Sequence, residues 1–412
     1  MAASNTSVPP EDGYFKSLLA LHVARSTARF RVTQSLFSSH DVDAGTRLLL
    51  RSLTAFRLGE PISVLDLGCG YGPIGIALNM AEPARIVCMV DRDALAVEYA
   101  RQNIALNGLT GLTGIEAQSS LGYDDLSDAR FDLIALNVPA KAGAPVIAHL
   151  LLGSAQHLAP GGVVAIVVIA SLAAAVRDVL ASEAAVAITY ERTSAGYTVL
   201  HYGFRGPLQT PVPHDAFAAG VYDRGIASAT AGTPTITLHT VFGLPEFDAP
   251  SFATELLMQE MKETRFAAGQ RVTVLNPGQG HVPMLLHMLA DPAGMTLVGR
   301  DLLSLRCSAA NLIRGGFTQE CIDIMHVVGF PPLPEPAGTI AAVVREDEGI
   351  GVIAATIESL ASNLLDGGSL LVAATSTTGA RLDKRFRVAR SLLIREKRRK
   401  KGHVVLQINR RS

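Results

Sequence analysis

Three stretches of the 412-residue chain place chemically capable residues at suggestive spacing. Asp66-Leu67-Gly68-Cys69-Gly70-Tyr71-Gly72 puts three glycines between an apolar run and a helix-forming run. Glycines at a strand-to-helix turn let the backbone bend sharply and let a ligand approach it. The same pattern also suits a tight turn without a ligand. About twenty residues further on, Val90-Asp91-Arg92-Asp93 ends the next apolar run. A carboxylate at that distance can accept both hydroxyls of a nucleoside ribose, or it can start a helix. The third stretch is Arg395-Glu396-Lys397-Arg398-Arg399-Lys400-Lys401, six cations in seven residues. If it forms a hairpin tip, those cations converge on one edge and suit a polyanion.

The elements that must position these residues follow from the pattern. Ser63–Leu67, Arg85–Val90, Phe131–Leu136 and Val163–Ile169 are strand-like. Ile74–Met80, Ala94–Asn107 and Val146–His157 are helical. Alternating strands and helices predict an α/β, doubly wound parallel sheet covered on both faces.

The pattern then occurs again. Leu36–Ala44 is echoed by Val241–Ala249 and Ser63–Pro73 by Thr273–Pro283. Val90–Leu95 is echoed by Val298–Leu303, Ala159–Val164 by Leu365–Leu370, and Gly196–Leu200 by Gly402–Leu406. The offsets lie between 205 and 210, so the chain reads as two tandem copies of one domain. Three prolines between Pro207 and Pro213 put the join there, giving domains 1–206 and 207–412.

Composition bounds the class. Hydrophobic residues make up 48% and charged residues 18%, and the mean hydropathy is +0.29; a disordered chain would be the reverse. The longest largely apolar stretch, 163–176, falls short of the roughly 20 residues of a membrane span. The first twenty residues lack the basic-then-apolar order of an export signal, so a cytoplasmic protein is expected. The four cysteines are scattered; reduced thiols and no metal are expected. The net charge of −1 hides an asymmetry: residues 381–412 carry 13 basic and 2 acidic side chains, leaving −12 on the rest.

Taken together, D-L-G-C-G-Y-G and Asp91 resemble the class I S-adenosylmethionine-dependent methyltransferases, over about residues 28–205 and more weakly in the second copy. The resemblance implies that Asp66, Gly68, Gly70 and Gly72 pass the methionine part of S-adenosylmethionine and that Asp91 holds its ribose. Leu36–Leu50 and Asn137-Val138-Pro139-Ala140 are similar to the branch containing the ribosomal RNA guanine-N2 methyltransferases, also tandem proteins with one degenerate copy. There the first copy is usually the degenerate one; here it is the second. In that branch Asn-Pro-Pro-aromatic orients an exocyclic amine, which implies catalytic roles for Asn137 and Pro139. Val138 and Ala140 replace the first proline and the ring that stacks on the base; Phe37, Tyr71 or Tyr202 would have to substitute. Ser119, in Gln118-Ser119-Ser120, stands where the family commonly faces adenine with an acid.

In the second copy Asp66 aligns with Asn276, Gly72 with Val282 and Asp91 with Gly299. Asn137-Val138-Pro139-Ala140 aligns with Val344-Arg345-Glu346-Asp347, so this copy reads as a retained fold without catalysis. The expectation is a monomer with catalysis in copy one and RNA docking through Arg395, Lys397, Arg398, Arg399, Lys400 and Lys401. A non-catalytic RNA-binding protein, and a methyltransferase of a protein or small molecule, are the alternatives.

Overall fold

The computed structural model describes residues 13–23, 26–53, 62–111, 114–126, 128–230, 235–389 and 392–410. Residues 1–12, on which the reading of the N-terminus partly rests, lie outside the described residues.

The first copy opens with a hairpin of β1 (Phe15–Val23) and β2 (Ser26–Thr33), followed by α1 (Ala44–Ser52). Then come β3 (Ser63–Leu67), α2 (Pro73–Ala81), β4 (Ile86–Asp91), α3 (Ala94–Leu106), β5 (Ile115–Ser119) and β6 (Phe131–Asn137). It closes with α4 (Ala144–Leu152), α5 (Ser154–His157), β7 (Leu158–Ile169), α6 (Ala173–Ala181), β8 (Val186–Ser194) and β9 (Tyr197–Phe204).

The second copy repeats this as β10 (Asp223–Thr230), β11 (Thr235–Val241), α7 (Phe252–Glu263), β12 (Arg271–Leu275), α8 (His281–Ala290), β13 (Gly294–Gly299) and α9 (Leu302–Arg314). It continues with β14 (Ile322–His326), β15 (Ala337–Val343), α10 (Ile350–Ser362), β16 (Leu364–Thr375), α11 (Ser376–Ala389), β17 (Leu392–Lys400) and β18 (His403–Arg410).

Each copy holds one seven-stranded sheet, in the orders β5-β4-β3-β6-β7-β9-β8 and β14-β13-β12-β15-β16-β18-β17. Five strands of each are parallel, as expected of buried Val/Ile-rich runs. The last two are not. A two-residue turn at Ala195-Gly196, both with positive φ, folds β8 back on β9, so β9 runs antiparallel to β7. Lys401-Gly402 does the same for β17 and β18.

The structure revises the register of the repeat. Gly68 N–H donates to the Val90 carbonyl (2.8 Å), and Asn276 N–H donates to the Val298 carbonyl (2.8 Å). Asn276 therefore corresponds to Gly68, not to Asp66, and it adopts the same left-handed backbone, φ +55° against +72°. Asp66 corresponds to Val274, Gly70 to Gly278 and Gly72 to Gly280. The caps Asp43 and Ser251 correspond as well. The echo of Asp43-Ala44 in Asp248-Ala249 is thus coincidental. One offset of 208 holds through Asn311, and one of 206 from β15 onward. Asn137 accordingly corresponds to Val343, since both pair with β7 or β16 at matching positions.

The two copies share core. Tyr222, Val241, Leu244, Leu303 and Cys307 join the cluster formed by Leu136, Val146 and Leu150. The proline-rich segment after Gly206 has no helix or strand until Asp223 and packs back on copy one. There Asp124 accepts from Ala216 and Phe217 N–H (2.8 and 3.0 Å) and Glu183 from Gln209 N–H (2.9 Å). No helix among the described residues is long and apolar enough to cross a membrane, and the four cysteines are free thiols.

Candidate active site

The parallel strands of copy one end at a cavity of about 320 Å³, within the range of small-ligand sites. Gly68, Asp91, Ser120, Asn137 and Pro139 line it, and so does Tyr222 from beyond the proline-rich segment.

The glycine turn and the acid after β4 form one unit. Asp91 Oδ2 accepts from Gly70 N–H (2.9 Å) and Oδ1 from Asp93 N–H (2.9 Å). Burial pushes the Asp91 pKa up, and those two donors pull it back. An ionised carboxylate has about four acceptor positions, so two remain for a ligand. A Cβ on Gly68 or Gly70 would meet nothing within 4 Å, so open space stands beside this backbone.

Asp66 plays a different part from the one expected. It is fully buried beneath the turn, and its Oδ2 accepts from Gly75 N–H (2.8 Å) at the start of α2. It shapes the loop rather than facing the cavity. Desolvation raises its pKa to about 7. Gly72 caps α2 with φ +91°, and the space a Cβ would take is filled by Ile76 at 3.0 Å.

After β5 the lining residue is Ser120, not Ser119. Ser120 Oγ donates to the Gly122 carbonyl (2.8 Å), and Ser120 N–H donates to the Asp91 carbonyl (3.0 Å). Gln118 reaches the Cys88 sulfur (3.7 Å). Leu121, Val146, Leu150 and Tyr222 make the far wall apolar. Tyr222 lies outside every motif, and nothing in the sequence marks it.

Asn137 ends β6 at the cavity. Its Nδ2 donates to Asp43 Oδ2 (3.2 Å) and Thr46 Oγ1 (3.3 Å). Val138 is buried and donates to the Val167 carbonyl (2.9 Å), whereas Pro139 and Ala140 are exposed. Of the three candidate stacking rings, Tyr202 is fully buried, with its hydroxyl on the Leu151 carbonyl (2.8 Å). Tyr71 is buried edge-on to Phe30. Phe37 is 75% exposed.

At the matching strand ends of the second copy a space of about 20 Å³ lies between Asn276, Gly299, Arg300 and Glu348.

The basic hairpin forms, but its cations do not all converge, because neighbouring acids and a ring engage some of them. Arg398 turns inward to Glu260 (3.5 Å) and to Glu263 on α7. Arg399 pairs with Glu396 (2.6 Å), and Lys401 Nζ sits 4.2 Å over the Phe252 ring. Arg395, Lys397 and Lys400 are exposed, as are Arg381, Lys384 and Arg385 on the adjoining α11.

Residues 27–201 match the family described as methyltransferase small domain. The protein YbxB of Bacillus subtilis is 34% identical over 139 residues, which are 34% of this chain and 67% of YbxB. The chain belongs to the methyltransferase small-domain family. Other members are similar over shorter shares. Ribosomal RNA small subunit methyltransferase C of Aeromonas hydrophila is 41% identical over 108 residues, 26% of this chain and 29% of that protein. Ribosomal RNA large subunit methyltransferase G of Shewanella sediminis is 33% identical over 142 residues, 32% of this chain and 34% of that protein. The chain thus matches about a third of the length of these two relatives. Among solved structures, a Thermus thermophilus 16S rRNA guanine-N2 methyltransferase, RsmC, in complex with AdoMet and guanosine, superposes with a TM-score of 0.66 at 18% identity. The superposition covers 96% of this chain and 98% of that one, so this methyltransferase small-domain protein has the tandem fold throughout.

Proposed function

We propose that the chain is an S-adenosylmethionine-dependent methyltransferase that methylates an exocyclic amine, guanine N2, of ribosomal RNA. The observation that carries this is the junction of Gly68, Asp91 and Asn137 at one cavity, with Asp91 held by Gly70 N–H. Asp91 suits the two ribose hydroxyls, the backbone at Gly68 and Gly70 suits the methionine part, and the apolar wall with Tyr222 suits the adenine. When bound, the cofactor supplies a methyl group already activated on a sulfonium, so the protein needs no metal for the transfer.

What the chain's own residues supply is placement. Asn137 Oδ1 accepts a hydrogen from the amine and turns its lone pair toward the methyl group. The Pro139 carbonyl is engaged by Ala142 N–H (3.1 Å), which keeps the loop in one shape. Orientation of this kind carries much of the catalysis in such transfers. Phe37 is the ring available to stack on the base. RNA docks through Arg395, Lys397 and Lys400 with the cations of α11, while Arg398, Arg399 and Lys401 hold the hairpin on its own domain. The protein works as a cytoplasmic monomer, its first copy catalytic and its second a support.

Calorimetric titration with S-adenosylmethionine tests the first half. One site per chain, lost in Asp91→Ala, is expected. Transfer of labelled methyl groups to unmodified transcripts of ribosomal RNA tests the second. RNA binding without transfer would instead make the chain a binding protein on a methyltransferase fold.

A further inference from the structure

We propose that Asp43 and Tyr197 are positioning residues that fix the Asn137 carboxamide with its Oδ1 turned to the substrate. This rests on the reading of Asn137 given above.

Asp43 is the cap of α1, and its Oδ2 accepts from Thr46 N–H (3.1 Å). The same oxygen accepts from Asn137 Nδ2 (3.2 Å). A carboxylate can only accept, so the amide nitrogen must face it whichever way a carboxamide is first drawn. The Asn137 oxygen is thereby left to the other side, where the cavity lies. Asp43 is itself held from behind: Tyr197 OH donates to its Oδ1 (2.8 Å). That approach requires Gly45. A Cβ there would stand 2.6 Å from the Tyr197 ring and 2.8 Å from Asp43 Oδ2.

The second copy separates the capping role from the orienting one. Ser251 takes the place of Asp43 and still caps α7, accepting from Thr254 N–H (3.3 Å). The helix therefore does not need a carboxylate. Where Asn137 has become Val343, Gly45 has become Ala253 and Tyr197 has become His403. The four members of the cluster are present together in one copy and absent together in the other. A fold requirement would have kept them in both.

The informative variant is Asp43→Ser, which installs the cap of the second copy and removes the carboxylate. The first readout needs no substrate: the side-chain NH₂ resonances of Asn137, identified by their loss in Asn137→Ala. In the wild type these protons exchange slowly with water and are well separated in shift. In Asp43→Ser they exchange faster and their shifts move together. Unchanged Asn137 resonances would overturn the proposal.

The second readout is methyl transfer to ribosomal RNA transcripts. Asp43→Ser is expected to lower kcat about 10- to 100-fold, with S-adenosylmethionine affinity and melting temperature close to wild type. Tyr197→Phe follows with a smaller loss. Added to Asn137→Ala, Asp43→Ser should cost nothing further, because both remove the same interaction. Multiplying losses would overturn the proposal. If the wild-type protein transfers no methyl group, the functional reading fails, and the NH₂ resonances still decide the orientation.

Discussion

Asp93 and Asp301, separated by 208 positions, lie opposite each other in an antiparallel bridge where the two copies meet. Around them the backbone hydrogen bonds and the arginine–aspartate pairs are each made twice. Ala94 N–H donates to the Arg300 carbonyl (2.8 Å) and Leu302 N–H to the Arg92 carbonyl (3.0 Å). Arg92 pairs with Asp301 (3.4 Å) and Arg300 with Asp93 (3.4 Å). This is the pattern of a two-fold dimer interface, made within one chain.

The twofold pattern is broken in burial, and that gives the first prediction. Arg300 is 3% exposed and also faces Glu348 (3.3 Å), Asp347 (3.7 Å) and the Ser35 carbonyl (2.9 Å). Arg300→Ala leaves the part-buried Asp93 and Glu348 carboxylates uncompensated and should cost at most about 3–5 kcal/mol. Arg92 is a third exposed, and Arg92→Ala should cost about 0–1 kcal/mol. Denaturant unfolding of the two variants checks the contrast.

Glycine substitutions distinguish the two copies. Gly68→Ala and Gly278→Ala both place a side chain on left-handed backbone, at φ +72° and +60°, and each should lose about 1–2 kcal/mol. Only Gly68→Ala adds a methyl group to the cavity wall. Calorimetry should show S-adenosylmethionine binding weakened in Gly68→Ala and unaltered in Gly278→Ala.

Burial of Asp66 makes stability depend on pH. Its native pKa of about 7 lies above the ordinary carboxyl value. The native state therefore binds more protons between about pH 4 and pH 7, and its stability falls as pH rises through that window. In Asp66→Asn the contribution is absent. The melting temperature of the variant minus that of wild type should climb with pH and level off above about 7. A difference flat with pH would contradict the assignment. Asp93, raised to about 6, titrates alike in both proteins.

Charge reversal should sort the basic end into two classes. Arg395, Lys397 and Lys400 to Glu should weaken RNA binding and flatten its salt dependence without lowering the melting temperature. Arg398→Glu should lower the melting temperature, because it sets a third carboxylate against Glu260 and Glu263.

Much of the fold was legible because strand, turn and helix repeat within local windows. The glycine turn and Asp91 could be found by spacing and Asn137 by family resemblance, and all three meet at the cavity. What escaped depended on contacts between distant segments. Matching letters set Asn276 against Asp66, whereas the backbone sets it against Gly68, since asparagine tolerates the left-handed conformation. Tyr222 and Asp43 reach the site only through tertiary packing. The cations of β17 looked alike in sequence; the acids that engage Arg398 lie on α7, more than 130 residues away.

Where copy one has its cavity, copy two keeps only a small space, and one of the residues bordering it is Arg300, which fastens the halves together. Enlarging that space by removing Arg300 would release the ion pairs that clamp one copy to the other. The retirement of copy two therefore works as a ratchet. Restoring Gly299 to aspartate would not by itself reopen the site, because the arginine next to it is now committed to holding the protein in one piece.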